Sequence, residues 1–115
     1  MDAATTPSDR RALLVEVIVA IRDSGGAVEI EGAGETVVYE DRTIRLELDD
    51  DEASELDTLL GEYPVFKRKQ PETRKAPENT VYLSAVTDPK HAADFLERLF
   101  RDVYGAPEGY ELLIR

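Results

Sequence analysis

Three short runs of alternating side chains, at residues 28–31, 37–39 and 44–48, constrain the fold of this chain most. In the last run, Ile44 and Leu46 alternate with charged residues. Such alternation predicts β-strands that bury one face and expose the other to water. Because the connecting segments are short enough for hairpin turns, the three strands are predicted to form an antiparallel meander.

Three other segments have the periodicity and end signals of helices. The first helix is predicted to begin with Ser8 as its cap and to end at about Ser24, before two glycines. The second opens on a run of acids, which suit the positive end of the helix dipole. The third begins at Asp88, which is followed by a proline. On the third helix, the spacing of Glu97 and Arg101 predicts an ion pair facing solvent.

The remaining apolar runs, at 63–69, 81–86 and 110–114, predict three further strands and complete the order αβββαββαβ. A chain of 115 residues suits one domain. We therefore predict a single α+β domain over residues 1–115, with a loose N-terminal stretch at 1–7. In this domain, an antiparallel sheet of five or six strands packs against helices one and three, and helix two lies at an end or edge.

The charge balance is strongly acidic, with 25 Asp and Glu against 14 Lys and Arg and a net charge of −11. In molar salt the Debye length is about 3 Å, so the repulsion within such a chain is largely screened. The composition therefore predicts a protein of a halophile, the alternative being an ordinary acidic protein. Both interpretations disfavour a nonspecific nucleic-acid binder.

The longest apolar run, from Ala12 to Ile21, is predicted to be a buried helix and not a membrane span or an export signal. Glu16 interrupts the run, which is well short of the ~20 residues that cross a bilayer. No membrane association is predicted, and we expect the protein in the cytoplasm.

The same helix carries apolar side chains outside its main stripe. Leu13, Val15 and Val19 widen the apolar surface beyond what one sheet face covers. One interpretation is a homodimer surface formed by these three residues. The alternative is deep burial within one chain.

A basic cluster stands out in this acidic chain and predicts contact with an anionic partner. The cluster consists of Lys67, Arg68, Lys69, Arg74 and Lys75. The aromatic residues nearby that are candidates for stacking or packing are Tyr63, Phe66 and Tyr82. The alternative interpretation is internal pairing with Glu72, Glu78 or the acidic run at 47–57, or protection of a strand edge by lysine.

No catalytic, metal or cofactor site is predicted. The single histidine, His91, has no partner at a catalytic spacing, and the chain has no cysteine. The acids at 47–57 lack the alternate ligand positions and central glycine of a calcium loop. The glycines at 25–26 and 32–34 precede predicted strands, whereas phosphate loops open helices.

Two resemblances add to these predictions. The runs at 81–89, 95–100 and 104–107 resemble small acidic uncharacterised proteins of halophilic archaea, which implies source and fold but no activity. The layout of elements is similar to that of type III secretion chaperones and related dimerising α+β modules. That resemblance implies a homodimer that binds another polypeptide, and the predicted strand at 110–114 departs from it.

These features together predict a noncatalytic binding or protein-interaction module whose partner is a second copy or another protein. The first alternative is a binder of nucleotide, RNA or another anionic ligand through residues 67–75, which the net charge disfavours. The second alternative is a small enzyme or enzyme subunit that uses carboxylates on a bound substrate.

Overall fold

The computed structural model describes residues 4–69 and 79–115 and confirms the predicted α+β class. Its three α-helices, its six strands and one π-helical turn follow the predicted order. Their bounds are α1 Pro7–Ser24, β1 Ala27–Gly32, β2 Glu35–Glu40, β3 Thr43–Glu47, α2 Asp50–Glu62, β4 Lys67–Lys69, β5 Thr80–Ser84, α3 Pro89–Arg98, the π-helical turn Leu99–Val103 and β6 Leu112–Ile114.

The six strands form one antiparallel sheet in the order β4-β5-β3-β2-β1-β6. The predicted meander occupies β1 to β3, which are joined by two-residue turns at Ala33-Gly34 and Asp41-Arg42. All four turn residues have positive φ, between 50° and 83°. Turns of this mirror-image type match the right-handed twist of the strands that they connect.

One face of the sheet is covered by α1 and α3, which pack against each other. Leu14 and Ile18 of α1 are fully buried, as are sheet residues such as Val37, Ile44 and Leu83. Because side chains alternate along a strand, the polar residues between them point to the opposite face. The sheet therefore has one face in the core and one face turned away from the helices.

The start of α1 differs from the prediction. Thr6 caps this helix and not Ser8, because the Thr6 hydroxyl accepts a hydrogen bond from the Asp9 amide at 3.1 Å. The chain before the helix already belongs to the fold at Ala4, which is buried and pairs with Leu112 at the edge of β6.

Two of the predicted strands are shorter than expected, for local reasons. Tyr63 caps the end of α2, and its carbonyl accepts from the Phe66 amide at 3.0 Å. The chain therefore turns before it becomes extended at Lys67. Likewise, the Tyr110 amide donates to the Pro107 carbonyl at 3.0 Å, which delays β6 until Leu112.

The predicted solvent-facing pair of Glu97 and Arg101 is wrong, because Glu97 is buried and bonds to Arg10. The Arg10 guanidinium donates to both carboxylate oxygens of Glu97 at 2.8 Å each, and to the Tyr110 carbonyl at 2.8 Å. The Tyr110 hydroxyl donates to Glu97 at 2.9 Å. These bonds join α1, α3 and the C-terminal segment beneath the sheet.

Candidate functional site

The sheet face turned away from α1 and α3 is the main candidate surface. Its central row contains five residues, one from each of five adjacent strands. The strand register places Glu29, Val38, Arg45, Tyr82 and Lys69 side by side in this order. Val38 and Tyr82 are half-buried by their neighbours, and the three charged side chains are exposed.

A second row runs beside the first and contains Glu40, Thr43, Ser84 and Lys67. The Lys69 ammonium donates to the Thr43 hydroxyl at 3.1 Å, which ties the two rows together. We call the surface formed by these two rows, together with Glu31 at the β1 end, the open face. Its members are polar or charged around the half-buried pair of Val38 and Tyr82.

Charge changes sign across the open face. On the β1 and β2 side it carries the acids Glu29, Glu31 and Glu40, and on the β3 to β4 side the cations Arg45, Lys67 and Lys69. Two further groups moderate this gradient. Arg115 pairs with Glu31 at 2.6 Å, and Glu47 lies two residues beyond Arg45 on the same face of β3. The acidic and basic halves nevertheless remain distinct.

Strand alternation divides the predicted basic cluster between two faces. Lys67 and Lys69 lie on the open face, whereas Arg68 pairs with Leu83 in register and points toward the helices. Arg68 donates to the Asp57 carboxylate of α2 at 2.7 Å. The other two predicted members, Arg74 and Lys75, lie outside the described residues.

The predicted aromatic group is divided in the same way. Tyr82 lies on the open face, whereas Tyr63 and Phe66 are buried on the helix side. There, Phe66 stacks on Phe95 with ring centroids 4.0 Å apart. Tyr63 and Phe66 each lie 5.4 Å from the half-buried ring of His91. The side chains of Tyr63 and Phe66 therefore pack within the chain.

The three residues of the predicted dimer surface do not form one patch. Leu13 and Val15 are half-buried against the core, and Val19 is exposed. Leu13 and Val15 are two positions apart, which places them about 160° apart around a helix axis. Val15 lines a shallow groove of about 370 Å³ between α1 and α3. The groove residues are Arg11, Ala12, Val15, Lys90, Ala93 and Asp94.

The acidic run after β3 has a structural role at the start of α2. The Asp49 carboxylate accepts from the Glu52 amide at 2.8 Å, and Glu52 accepts from the Asp49 amide at 2.9 Å. This reciprocal capping box satisfies two helix amides. Within residues 4–69 and 79–115, no group of three or more His, Asp or Glu side chains is arranged to hold a metal ion.

One carboxylate near this helix start is electrostatically perturbed. Burial raises the pKa of Glu35, and the neighbouring charges of Glu52, Asp49 and Glu47 raise it further. Glu35 does not line the α1–α3 groove or the cavity of about 210 Å³ at the end of α1. In that cavity, Arg22 donates to the Tyr39 hydroxyl at 2.9 Å.

Sequence reasoning missed Val38, Thr43, Arg45 and Ser84 as members of the candidate surface. Val38, Arg45 and Ser84 lie within predicted strands, whereas Thr43 lies just before one. Alternation assigns Arg45 to the face opposite the core, but it assigns no face to Ser84 in the apolar run at 81–86. Their grouping with Lys67 and Lys69 depends on β4 and β5 pairing beside β3. That neighbour relation has no local sequence signal.

No helix among the described residues combines the length and the apolar character that a membrane span requires. Comparison with curated proteins and with solved structures finds no match. A family profile, by contrast, matches residues 1–115, the whole chain. The chain belongs to this family, a family of unknown function designated DUF7975.

Proposed function

We propose that this chain is a noncatalytic binding protein that engages its partner through the open face of the sheet. The observation that carries the proposal is the grouping of Arg45, Lys67 and Lys69 around Tyr82 on that face. In a chain of net charge −11, such a group of cations favours an anionic contact.

The cations of the open face form no ion pair with another of the described residues. The ion pairs among residues 4–69 and 79–115 do not include Arg45, Lys67 or Lys69. Arg68, by contrast, is already paired with Asp57 on the other side of the strand. An incoming carboxylate or phosphate therefore meets Lys67 and Lys69 without displacing an ion pair of the described chain.

The shape of the surface favours binding over catalysis. Enzyme sites are generally concave and bury most of a small ligand, whereas the open face is the surface of a sheet. A half-buried tyrosine among cations suits an extended anionic partner. The notable acidic excess of the chain also supports our proposal that the protein works in the cytoplasm of a halophile.

The test is a fluorescence anisotropy titration of a labelled oligoglutamate peptide at low salt. We expect Lys67→Gln/Lys69→Gln to weaken binding by about tenfold, since each exposed charged contact contributes about 0.7 kcal/mol and about 1.4 kcal/mol corresponds to a tenfold change in affinity. The matched control is Arg68→Gln, which removes a charge from the same strand on the other face. Equal binding by the wild type and the double variant would refute the proposal.

A nucleotide or RNA partner is the second candidate, favoured by the position of Tyr82 between Arg45 and Lys69 in the central row. Aromatic residues flanked by cations stack bases in single-stranded nucleic-acid binders. Labelled oligouridylate in the same assay tests this candidate. Binding that falls severalfold in Tyr82→Ala would support it, and the absence of binding would exclude it.

A further inference from the structure

We propose that the partner on the open face is a second copy of this chain, packed face to face about a two-fold axis that runs parallel to the strands. This inference rests on the proposed function, because it uses the same surface. It identifies the anionic groups that meet Lys67 and Lys69 as the acids on the other half of the same face.

The charge gradient of the open face is self-complementary in one orientation. Glu29 and Glu40 lie on β1 and β2, whereas Lys67 and Lys69 lie on β4, at the far edge of the sheet. A two-fold axis parallel to the strands exchanges the two sides of the sheet. The basic half of one protomer then lies over the acidic half of its partner.

Other face-to-face orientations do not have this property. A two-fold axis that lies between the two sheets but runs perpendicular to the strands places β4 over the partner's β4. Lys67 and Lys69 of one protomer then lie over the same two residues of its partner. Like charges brought together across an interface cost several kcal/mol. The gradient therefore selects one axis, and this axis leaves the strands of the two sheets aligned, as in sandwiches where sheets cross at about 30°.

The centre of the face is suited to contact between copies. Val38 and Tyr82 lie in the central row on either side of Arg45, and both are half-buried. Thr43 and Ser84 beside them are neutral and small enough for a second sheet to approach. Apolar and neutral residues thus surround Arg45 at the centre of the face, and arginine and tyrosine are both enriched in protein interfaces.

The size of the face predicts a weak, reversible dimer. The five strands that carry the open face lie about 4.8 Å apart and span ~19 Å, and strands of five residues are ~17 Å long, which gives a projected area of ~330 Å² per protomer. Stable interfaces bury ~800 Å² per partner, and smaller ones belong to transient complexes. We therefore expect a weak dimer whose population rises with protein concentration.

Salt is expected to strengthen this dimer. Two chains of net charge −11 repel each other over a long range, and molar salt shortens the Debye length to about 3 Å. Pairs in contact across the interface are partly shielded from solvent and are screened less. Binding of a flexible polyanion to the same cations weakens as salt rises, so the two salt responses have opposite signs.

The deciding experiment is sedimentation velocity on the full chain and on two charge variants at high salt. Lys67→Glu/Lys69→Glu makes both halves of the face acidic, and Glu29→Lys/Glu40→Lys makes both halves basic. We expect each variant alone to be monomeric and an equimolar mixture to form a heterodimer. The basic variant discriminates best, because it lowers the overall repulsion between chains and is still expected to dissociate.

Arg68→Glu is the control, since it changes the same charge on the helix side of β4. We expect this variant to dimerise like the wild type, and far-ultraviolet circular dichroism checks that every variant is folded. A wild-type monomer at all concentrations overturns the dimer, as does a dimer that survives in both charge variants. If a monomeric wild type still binds oligoglutamate through Lys67 and Lys69, the proposed function stands; if it does not, both fail.

Discussion

The buried ion pair between Arg10 and Glu97 makes a strong prediction about stability. Arg10 is fully buried, Glu97 is 4% exposed, and the two side chains form a pair of parallel hydrogen bonds of 2.8 Å. The hydrogen bonds to Glu97 raise the pKa of the Arg10 guanidinium. The substitution Glu97→Gln keeps the shape of the side chain and removes its charge, so the guanidinium stays buried without a counter-ion.

The expected loss follows from the position of the pair. Removing one partner of a buried ion pair costs about 3–5 kcal/mol, because a charge is left uncompensated away from water. Domains of this length have a free energy of unfolding of roughly 6–17 kcal/mol, from about 0.05–0.15 kcal/mol per residue. Glu97→Gln is therefore expected to remove a large part of the stability of the chain.

Urea denaturation followed by circular dichroism measures the effect. The matched control is Glu62→Gln, which removes the carboxylate that pairs with Arg98 at 3.1 Å on the surface. That pair is exposed to solvent, so we expect its loss to cost less than about 1 kcal/mol. The same chemical change leaves a cation without a counter-ion only at the buried position, because Arg98 also pairs with Asp102.

A double variant extends the test. In Arg10→Met/Glu97→Met no charge is left unpaired, although the hydroxyl and carbonyl of Tyr110 lose their partners at a cost of about 1–3 kcal/mol each. The double variant should lose less unfolding free energy than Arg10→Met and Glu97→Met lose in sum. A loss below about 1 kcal/mol for Glu97→Gln, or equal losses for Glu97→Gln and Glu62→Gln, would refute this reasoning.

Three further predictions concern packing and pH. A Cβ on Gly32 would lie 2.6 Å from the Tyr110 ring, so Gly32→Ala should lower the free energy of unfolding by about 1–3 kcal/mol. Gly61 lies on a helix with open space around it, so Gly61→Ala should raise the free energy of unfolding by up to ~1 kcal/mol. Urea unfolding checks both signs. Phe66→Ala should cost about 3–5 kcal/mol because the ring is buried in an aromatic stack, and a loss under ~1 kcal/mol would contradict that packing. Burial raises the pKa of Tyr104 and Tyr110, with Glu35 and Glu97 adding to the respective shifts. Above the ordinary tyrosine pKa of about 10, unfolding therefore releases protons that the folded chain still holds. The free energy of unfolding should fall as the pH rises above about 10, which thermal melts at increasing pH measure.

Much of the fold could be predicted from short-range patterns. Alternation around Ile44 and Leu46 predicted β3, and the capping signal at Asp88 predicted the start of α3, where Asp88 accepts from the His91 amide at 2.9 Å. The end of α1 at Gly25 was indicated by glycine and is a left-handed cap. These signals involve residues close in sequence, which is why they can be interpreted without the tertiary structure.

The errors in the prediction concern pairs of residues that are distant along the chain. Glu97 has a basic neighbour at helical spacing in Arg101, but its partner is Arg10, 87 positions away. Lys67, Arg68 and Lys69 are a single cluster in the sequence, whereas the register of β4 on β5 separates Arg68 from the two lysines. Neither the partner of a buried charge nor the register of a strand is encoded in local spacing.

The sequence by itself determined the α+β class, the element order and the acidic charge of the chain, because periodicity and composition depend on neighbouring residues alone. The tertiary structure decided which side chains share a face. Strands β3 and β5 are adjacent in the sheet although α2 and β4 lie between them in the chain. This pairing, together with that of β4 on β5, places Arg45, Tyr82 and Lys69 side by side. The open face, and with it the proposed binding surface, arises from contacts that form only when the whole sheet assembles.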